Sequence, residues 1–495
     1  MADVLLTHSY HLPYDRKQVR KMQPYPPLGT LYAASALRVR NINVAVFDSM
    51  LQEPITGFKD AVEQHRPKIV AIYEDDFNFL SKMCLTRMRE VAWQMAEIAQ
   101  CAGATVVSHG SDATDQAEEY LRHGSDFVVV GEAEMALAEL CSAVLKSGDP
   151  SHLSGVIRIN SIGDVVRNPA VADSAQWLAM PARDLIDINL YRAAWKEAHG
   201  YFSLNLVASR GCPYRCNWCA KPIYGNRFHV RPAGVVANEL SELKQVYGAE
   251  HAWFGDDVFA LNHRWAREFA EAVEHNGCLL PFKIQTRADL MTQEAVESLR
   301  RAGCAEVWMG VESGSQRVLD SMDKGLLIEE VIIARANLRN AGIRACYFLQ
   351  FGYPGEVWED IQKTVALVRE TRPDDIGVSL SYPLPNTAFY ERVRAELGRK
   401  RNWTDSEDLC VMFKGAYTDE FYLAVRDALH AEVDEWHVAG ASAPMRCRAQ
   451  ELWLRVEKLE AVSRNADPTL ISTAPIGSDK FGFVSARRLA EVREA

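Results

Sequence analysis

The sequence predicts an α/β protein in three parts: a doubly wound parallel sheet, a partial (β/α)6 barrel after it, and a mostly helical C-terminal region. Two series of short apolar runs alternating with helical patterns predict the two sheets. A change to amphipathic helical periodicity after about residue 400 predicts the third part. The boundaries drawn from these patterns are 1–147, a connector with a hairpin at 148–200, the barrel at 201–398, and the helical region at 399–495. At 495 residues, 48% hydrophobic and 24% charged, the chain has material for more than one core.

In the first part, ADVLLTH (2–8), NVAVFD (43–48), KIVAIYE (68–74), TVVSHGS (105–111) and DFVVVGE (126–132) read as buried strands, being β-branched and nearly unbroken. Helical patterns lie between them, at 27–40 and over the long stretch 83–103. The result is a Rossmann-like sheet, whose ligands bind beyond the carboxyl ends of the strands. Those ends carry His8, Asp48, Glu74, Ser108 to Ser111, Gly131 and Glu132, which are otherwise ordinary loop residues. In the connector, VIRINSIGDVVRNP (156–169) has a Gly-Asp turn between two alternating runs, a hairpin pattern.

The second series has strands at 202–209, 249–257, 281–289, 305–313, 343–352 and 375–385. Helices are expected at 234–248, 292–303 and 328–342, the last two stopping at Ala-Gly. Six βα units suggest a barrel whose chemistry gathers at the carboxyl strand ends. Asp256, Asp257, Arg287, Glu312, Ser313, Gln350 and Tyr382 lie there. Beyond residue 400, 421–436 and 447–464 read as amphipathic helices, and the last thirty residues carry no strong period.

The net charge of −11 makes a generic nucleic-acid surface a poor expectation. No run of eighteen apolar residues and no basic-then-apolar leader pattern is seen, so a cytoplasmic protein without a membrane span is expected. Most of the 11 cysteines then read as reduced thiols. Cys84, Cys101, Cys141, Cys278, Cys304, Cys346, Cys410 and Cys447 are expected to be buried small hydrophobes, with Cys346 the one placed to face the barrel.

Cys212, Cys216 and Cys219 differ. They fall within eight residues, in CPYRCNWC, directly after the first barrel strand. Four thiolates would close a tetrahedral zinc or saturate an iron–sulfur cluster, whereas three leave one metal position free for chemistry. A structural zinc completed by a distant ligand, with His229 nearby, is a second reading. A redox thiol pair and a chance grouping are others.

CPYRCNWC after such a strand resembles the radical S-adenosylmethionine (radical SAM) superfamily. The resemblance continues in FGDD (254–257), VESGSQRVLDSM (311–322), FGYPGE (351–356) and YPLPNTAFY (382–390). It implies that Cys212, Cys216 and Cys219 hold a [4Fe–4S] cluster and that SAM chelates the fourth iron. An electron donor such as flavodoxin or ferredoxin then drives SAM cleavage to a 5′-deoxyadenosyl radical. It further implies a SAM site made by Trp218, Gly255, Asp256, Asp257, Arg287, Glu312, Ser313, Gln350 and Tyr382. In that site an acidic residue of FGDD receives the amino group, Arg287 forks onto the carboxylate, and Glu312 with Ser313 approaches the ribose. Trp218 is expected to cover the cluster. No residue is assigned to the catalytic step itself.

PYPPLGTLYAASALR (24–38), HGSDATDQAEEYL (109–121) and VVVGEAEMALAEL (128–140) resemble the N-terminal domain of the cobalamin-binding class of that superfamily. The segment 412–433 is similar to members related to the anaerobic magnesium-protoporphyrin ester cyclase. This implies cobalamin held by Leu28, Gly29, Tyr73, Glu74, Ser108, Gly110, Ser111, Gly131 and Glu132. Asp-x-His-x-x-Gly is absent from the sequence, so no protein histidine is expected on the cobalt. The bulky loop YEDDFNF (73–79) has two readings, a substitute wall below the corrin or a filler of its cavity.

The function implied is a cobalamin-dependent radical SAM methyltransferase acting on an unactivated carbon, or a phosphinate phosphorus, of a small molecule. Oxidative cyclisation or ring rearrangement with the same cofactors is the alternative. RNA methylthiolation would favour a basic C-terminal module, yet 401–495 holds 12 Lys and Arg against 16 Asp and Glu. A non-catalytic cobalamin or redox sensor would not require the SAM-site residues. The substrate itself is not legible.

Overall fold

A computed structural model describes residues 1–170, 180–439, 447–466 and 468. Nearly unbroken apolar runs form the first sheet: β1 (Val4–Thr7), β2 (Val44–Phe47), β3 (Ile69–Tyr73), β4 (Thr105–His109) and β5 (Phe127–Val129). They pair in parallel in the order β2-β1-β3-β4-β5. Alternate residues face two separate cores. Val4 and Leu6 pack with the helices Leu28–Val39 and Glu134–Leu145, while Leu5 packs with Pro54–His65 and Thr86–Cys101 on the other face. A strand buried on both sides needs apolar residues at every position.

Two features differ from the sequence expectation. The connector hairpin, β6 (Val156–Ile159) and β7 (Val165–Arg167), adds antiparallel to β5 and extends the sheet to seven strands. The helix expected at 83–103 runs from Thr86 to Cys101; it starts late because Cys84, after a separate turn at Phe79–Lys82, takes φ +55°.

The second unit begins with β8 (Ser203–Leu206). A short antiparallel pair follows, β9 (Ser209–Arg210) with β10 (His229–Val230). The strands β11 (His251–Phe254), β12 (Phe282–Thr286), β13 (Cys304–Glu312), β14 (Arg344–Phe351) and β15 (Asp375–Leu380) then pair in sequence order, all parallel, from β8 at one edge to β15 at the other. This is a six-stranded partial barrel with helices between its strands, as at Ala233–Gln245, Gln293–Ala302 and Ile328–Asn340. Gly303 stops one of these in the left-handed conformation, φ +94°.

The first unit covers the β8 edge. Tyr25 Oη lies 3.1 Å from Ser203 Oγ, and Asn205 donates to the Pro26 carbonyl at 2.8 Å. The helices Asp419–Ala439 and Cys447–Val462 pack together, with Trp453 donating to Glu432 at 2.7 Å. Cys447 starts the second of these helices; its side chain, and all but two of the last thirty residues, lie outside the described residues. No described helix is long and apolar enough to cross a membrane.

Candidate functional site

The three cysteines lie on a loop that leaves the carboxyl end of β8 and is closed at its base by the β9–β10 pair. Gly211 opens it at φ +77°, where a Cβ would overlap the Arg227 carbonyl oxygen. Only glycine suits that position. Lys221 reaches back to donate to the Cys212 carbonyl at 2.9 Å and to the Tyr214 carbonyl.

Asn217, between the second and third cysteines, anchors the loop to the barrel. Its amide donates to the Ser321 carbonyl and Asp323, each at 2.8 Å, and its oxygen accepts from Tyr353 Oη at 2.8 Å. Its backbone pairs with Met322 and Phe389. All three thiols are partly buried. Burial pushes Cys212 up and Cys219 to about 12, with Lys221 opposing in both. Thiols in such a setting become thiolates when a metal takes the proton's place. Among the described residues no three His, Cys, Asp or Glu side chains are grouped as ligands of one ion. Three thiolates that each bind a different iron of a cluster are not held to that spacing, whereas the ligands of a single zinc are.

The residues expected around SAM fall into two groups. Trp218, Glu312, Gln350 and Tyr382 line a cavity of about 1280 Å³ that runs through the barrel. Glu312 ends β13 at φ +63°, an uncommon conformation for a non-glycine residue. It pairs with Lys324 at 2.7 Å. Gly310 makes room for that pair, since a Cβ there would sit 2.7 Å from the Glu312 carboxylate and 2.8 Å from Lys324 Nζ. Gln350 donates to Ser381 at 3.0 Å, and Tyr382 stacks on Trp403 at 4.4 Å.

The others are engaged within the protein. Asp256, below Gly255, accepts from the Ala208 amide and the Ser209 hydroxyl, and burial raises it to about 7. Asp257 pairs with Lys82, from the first unit, at 2.5 Å. Arg287 donates to Asp289 and to the carbonyls of Lys324 and Gly325, each at 2.9 Å, and lies 3.8 Å from the Tyr214 ring. Ser313 is fully buried against Thr364. Sequence reasoning missed Asn217, Lys221, Lys324 and Lys82. A lone lysine before Gly325, just past the quoted VESGSQRVLDSM, was the one local signal for Lys324.

On the first sheet the structure departs from the expectation. Leu28, Gly29, Tyr73, Glu74, Ser108, Gly110, Ser111, Gly131 and Glu132 do not line the cavity. The loop after β3 folds across the strand ends instead. Asp75 accepts from the Gly29 amide at 2.9 Å, and Asp76 pairs with His109 at 2.7 Å. Glu74 presses on Gly110, and Phe77 packs against Tyr32 and Tyr224. The cavity opens on the ends of β1, β2 and β3 through Tyr10, Met50, Asp75, Asn78, Phe79 and Leu80. Among the described residues, Glu74 Oε2, Asp76 Oδ1 and Ser111 Oγ at the sheet's carboxyl edge are buried without a hydrogen-bond partner, while Glu132 Oε1 lies 3.5 Å from Arg227. The cavity exceeds the roughly 300–1,000 Å³ of drug-sized sites, as a ligand the size of a corrin requires. On size the cavity fits cobalamin.

A three-cysteine loop at the first strand end of a parallel partial barrel, over a cavity shared with a doubly wound sheet, is the arrangement expected of a radical SAM domain. Comparison with known proteins agrees: residues 206–368 match the radical SAM superfamily, and the chain carries that domain. An uncharacterized methyltransferase of Pyrococcus horikoshii is 27% identical over 74% of this chain and 78% of its own. The anaerobic magnesium-protoporphyrin IX monomethyl ester cyclase of Rubrivivax gelatinosus is 23% identical over 77% of this chain and 68% of its own. Among solved structures, the radical SAM methyltransferase TsrM of Kitasatospora setae, with cobalamin and a [4Fe-4S] cluster bound, superposes with a TM-score of 0.67 at 19% identity. That match covers 81% of this chain and 79% of TsrM, a likeness of fold.

Proposed function

We propose that the protein is a cobalamin-dependent radical SAM methyltransferase acting on an unactivated carbon, or a phosphinate phosphorus, of a small molecule. The observation that carries this reading is the cysteine loop, hung from β8 over a cavity whose other wall is the carboxyl edge of the first sheet. Cys212, Cys216 and Cys219 would hold the cluster, and Lys221 and Asn217 fix the loop that presents them. Glu312, paired with Lys324, would stand with Ser313 on the ribose side of SAM, and Trp218, on the cysteine loop, has its ring 5.9 Å from Lys324 Nζ. Arg287 uses three of its five N–H donors on the chain, leaving two for a carboxylate. When bound, the cluster supplies the electron that cleaves SAM, and cobalamin supplies the transferred methyl group.

On the first sheet, the residues facing the cavity after β1–β3 would meet the corrin. Asp75, Asn78 and Phe79 are the residues of the YEDDFNF loop that face the cavity, and Phe79, about half exposed, would be the bulkiest available to screen the cobalt's lower face. The magnesium-protoporphyrin ester cyclase relative supports oxidative cyclisation as a second outcome of the same hydrogen abstraction. The test is cobalamin uptake by the anaerobically reconstituted protein. The expected result is stoichiometric binding with a spectrum showing the dimethylbenzimidazole tail off cobalt, and loss of methyl transfer when cobalamin is withheld. Protein that turns over its substrate without taking up cobalamin overturns the methyltransferase reading.

A further inference from the structure

We propose that the substrate is an elongated amphiphile that threads the barrel, with an anionic end (carboxylate or phosphate) at Lys283 and its reacting end near Trp218 and Glu312. The proposal rests on the radical SAM reading for which end reacts, and on the cavity for everything else.

The cavity spans the height of the barrel. On β13 both Glu306 and Glu312 line it, and on β14 both Arg344 and Gln350. Six residues of strand at about 3.3 Å each make a channel about 20 Å long. A compact substrate would need only the upper end. Between the ends the walls are mostly apolar, with Trp253, Trp308, Phe348, Ile376 and Leu380, and Gln285 and Ser379 the polar residues among them. Trp308 and Phe348 stack at 4.8 Å and form a waist. A Cβ on Gly377 would press on both, at 3.2 Å from Phe348 and 3.4 Å from Trp308, so this glycine keeps the rings where they are. An apolar waist between polar ends suits a chain-like or flat apolar body.

The lower end is built around an ammonium that, among the described residues, is in no ion pair. Lys283 Nζ sits over the rings of Tyr25 at 5.6 Å and Trp253 at 5.9 Å. Its hydrogen-bond partner is the neutral Gln23, at 3.3 Å. Glu306, beside it on β13, is taken by Arg344 at 3.0 Å and by Trp308 Nε1 at 2.7 Å. Lys17 and Lys21 line the same end. Asp375 and Asp434 face it too, with Asp375 accepting from the Ile376 amide at 2.7 Å. Burial pushes Lys283 and Lys17 down to about 8. A half-buried cation held by aromatic faces and an amide is disfavoured until a ligand brings a negative charge.

Matched amphiphiles test this on the cluster-reconstituted protein, by calorimetric titration below their micellar range. The probes are dodecyl phosphate, dodecanoate, dodecanol and dodecyltrimethylammonium. At least one anion is expected to bind about 10-fold or more tightly than the alcohol, about 1.4 kcal/mol, and the comparison between the two distinguishes phosphate from carboxylate. Lys283→Gln should remove the preference and Lys283→Arg keep it, so the readout does not depend on one variant folding. Lys17→Gln with Lys21→Gln should weaken it. Dodecanol or the cation binding as tightly as both anions overturns the proposal, as does a preference untouched by Lys283→Gln. SAM cleavage is measured on the same wild-type preparation. Cleavage without anion preference overturns the channel alone, and anion preference without cleavage overturns the radical SAM reading alone.

Discussion

Replacing any one of Cys212, Cys216 and Cys219 by Ala is expected to abolish the cluster's visible absorption and SAM cleavage together, measured after anaerobic reconstitution. A variant that keeps both would remove that cysteine from the ligand set. Arg287 does two jobs, stacking on Tyr214 and tying down the Lys324–Gly325 turn. Arg287→Ala should therefore weaken SAM binding by about 2–5 kcal/mol, as losing a buried charged partner does. Arg287→Lys should restore little, because an ammonium lacks the fork. SAM affinity equal to wild type in Arg287→Ala would refute the assignment. The cysteines were legible because their spacing is local. Lys324 and Asn217 were not, because what they do depends on partners that only the folded chain brings near, such as Tyr353, 136 positions from Asn217.

At the scale of the element, the cysteine loop is held by one glycine and one asparagine. Gly211→Ala adds a Cβ against the Arg227 carbonyl in a backbone conformation that disfavours side chains. Asn217→Ala removes three side-chain hydrogen bonds, on the order of 2–4 kcal/mol at about 1 kcal/mol each. Both variants should show lower cluster occupancy per chain by iron analysis, and Asn217→Ala a lower melting temperature.

The FGYPGE turn after β14 adds a pH effect. Glu356 is fully buried, accepts from the Gly352 amide at 2.6 Å, has its second oxygen unpartnered, and is pushed up to about 8. A carboxyl raised by folding contributes stability that is complete below the ordinary carboxylate range and lost as pH rises through its folded value. Melting temperature should fall between about pH 5 and 8, and Glu356→Gln should flatten that slope. Parallel curves would contradict it.

Strand positions were readable from unbroken apolar runs and helix stops from Ala-Gly. The hairpin's place was not, because alternation predicts a strand pair without saying which edge it joins. The left-handed Cys84, which delays the helix start to Thr86, also leaves no mark in the periodicity.

The whole molecule brings the two units together through charge. Lys82 pairs with Asp257, and Arg210, next to the cysteine loop, pairs with Glu134 and lies over the rings of Tyr32 and Phe77, each at 5.5 Å. The cavity needs both units. Sequence patterns give each sheet by itself, whereas the contact of the loop after β3 with the second unit, through Phe77 and Tyr224, arises only in the folded chain. Lys82→Ala should leave the fold intact and alter SAM affinity, since Asp257 is then free to meet the SAM amino group; unchanged affinity by calorimetry would place Asp257 outside the site.

The measurement closest to the central claim is electron paramagnetic resonance of the reduced, reconstituted wild-type protein with and without SAM. A three-cysteine cluster with an open iron should give a [4Fe–4S]⁺ signal that shifts when SAM is added, and an analysed iron content near four per chain. A signal indifferent to SAM, or protein that retains only zinc, would contradict the account.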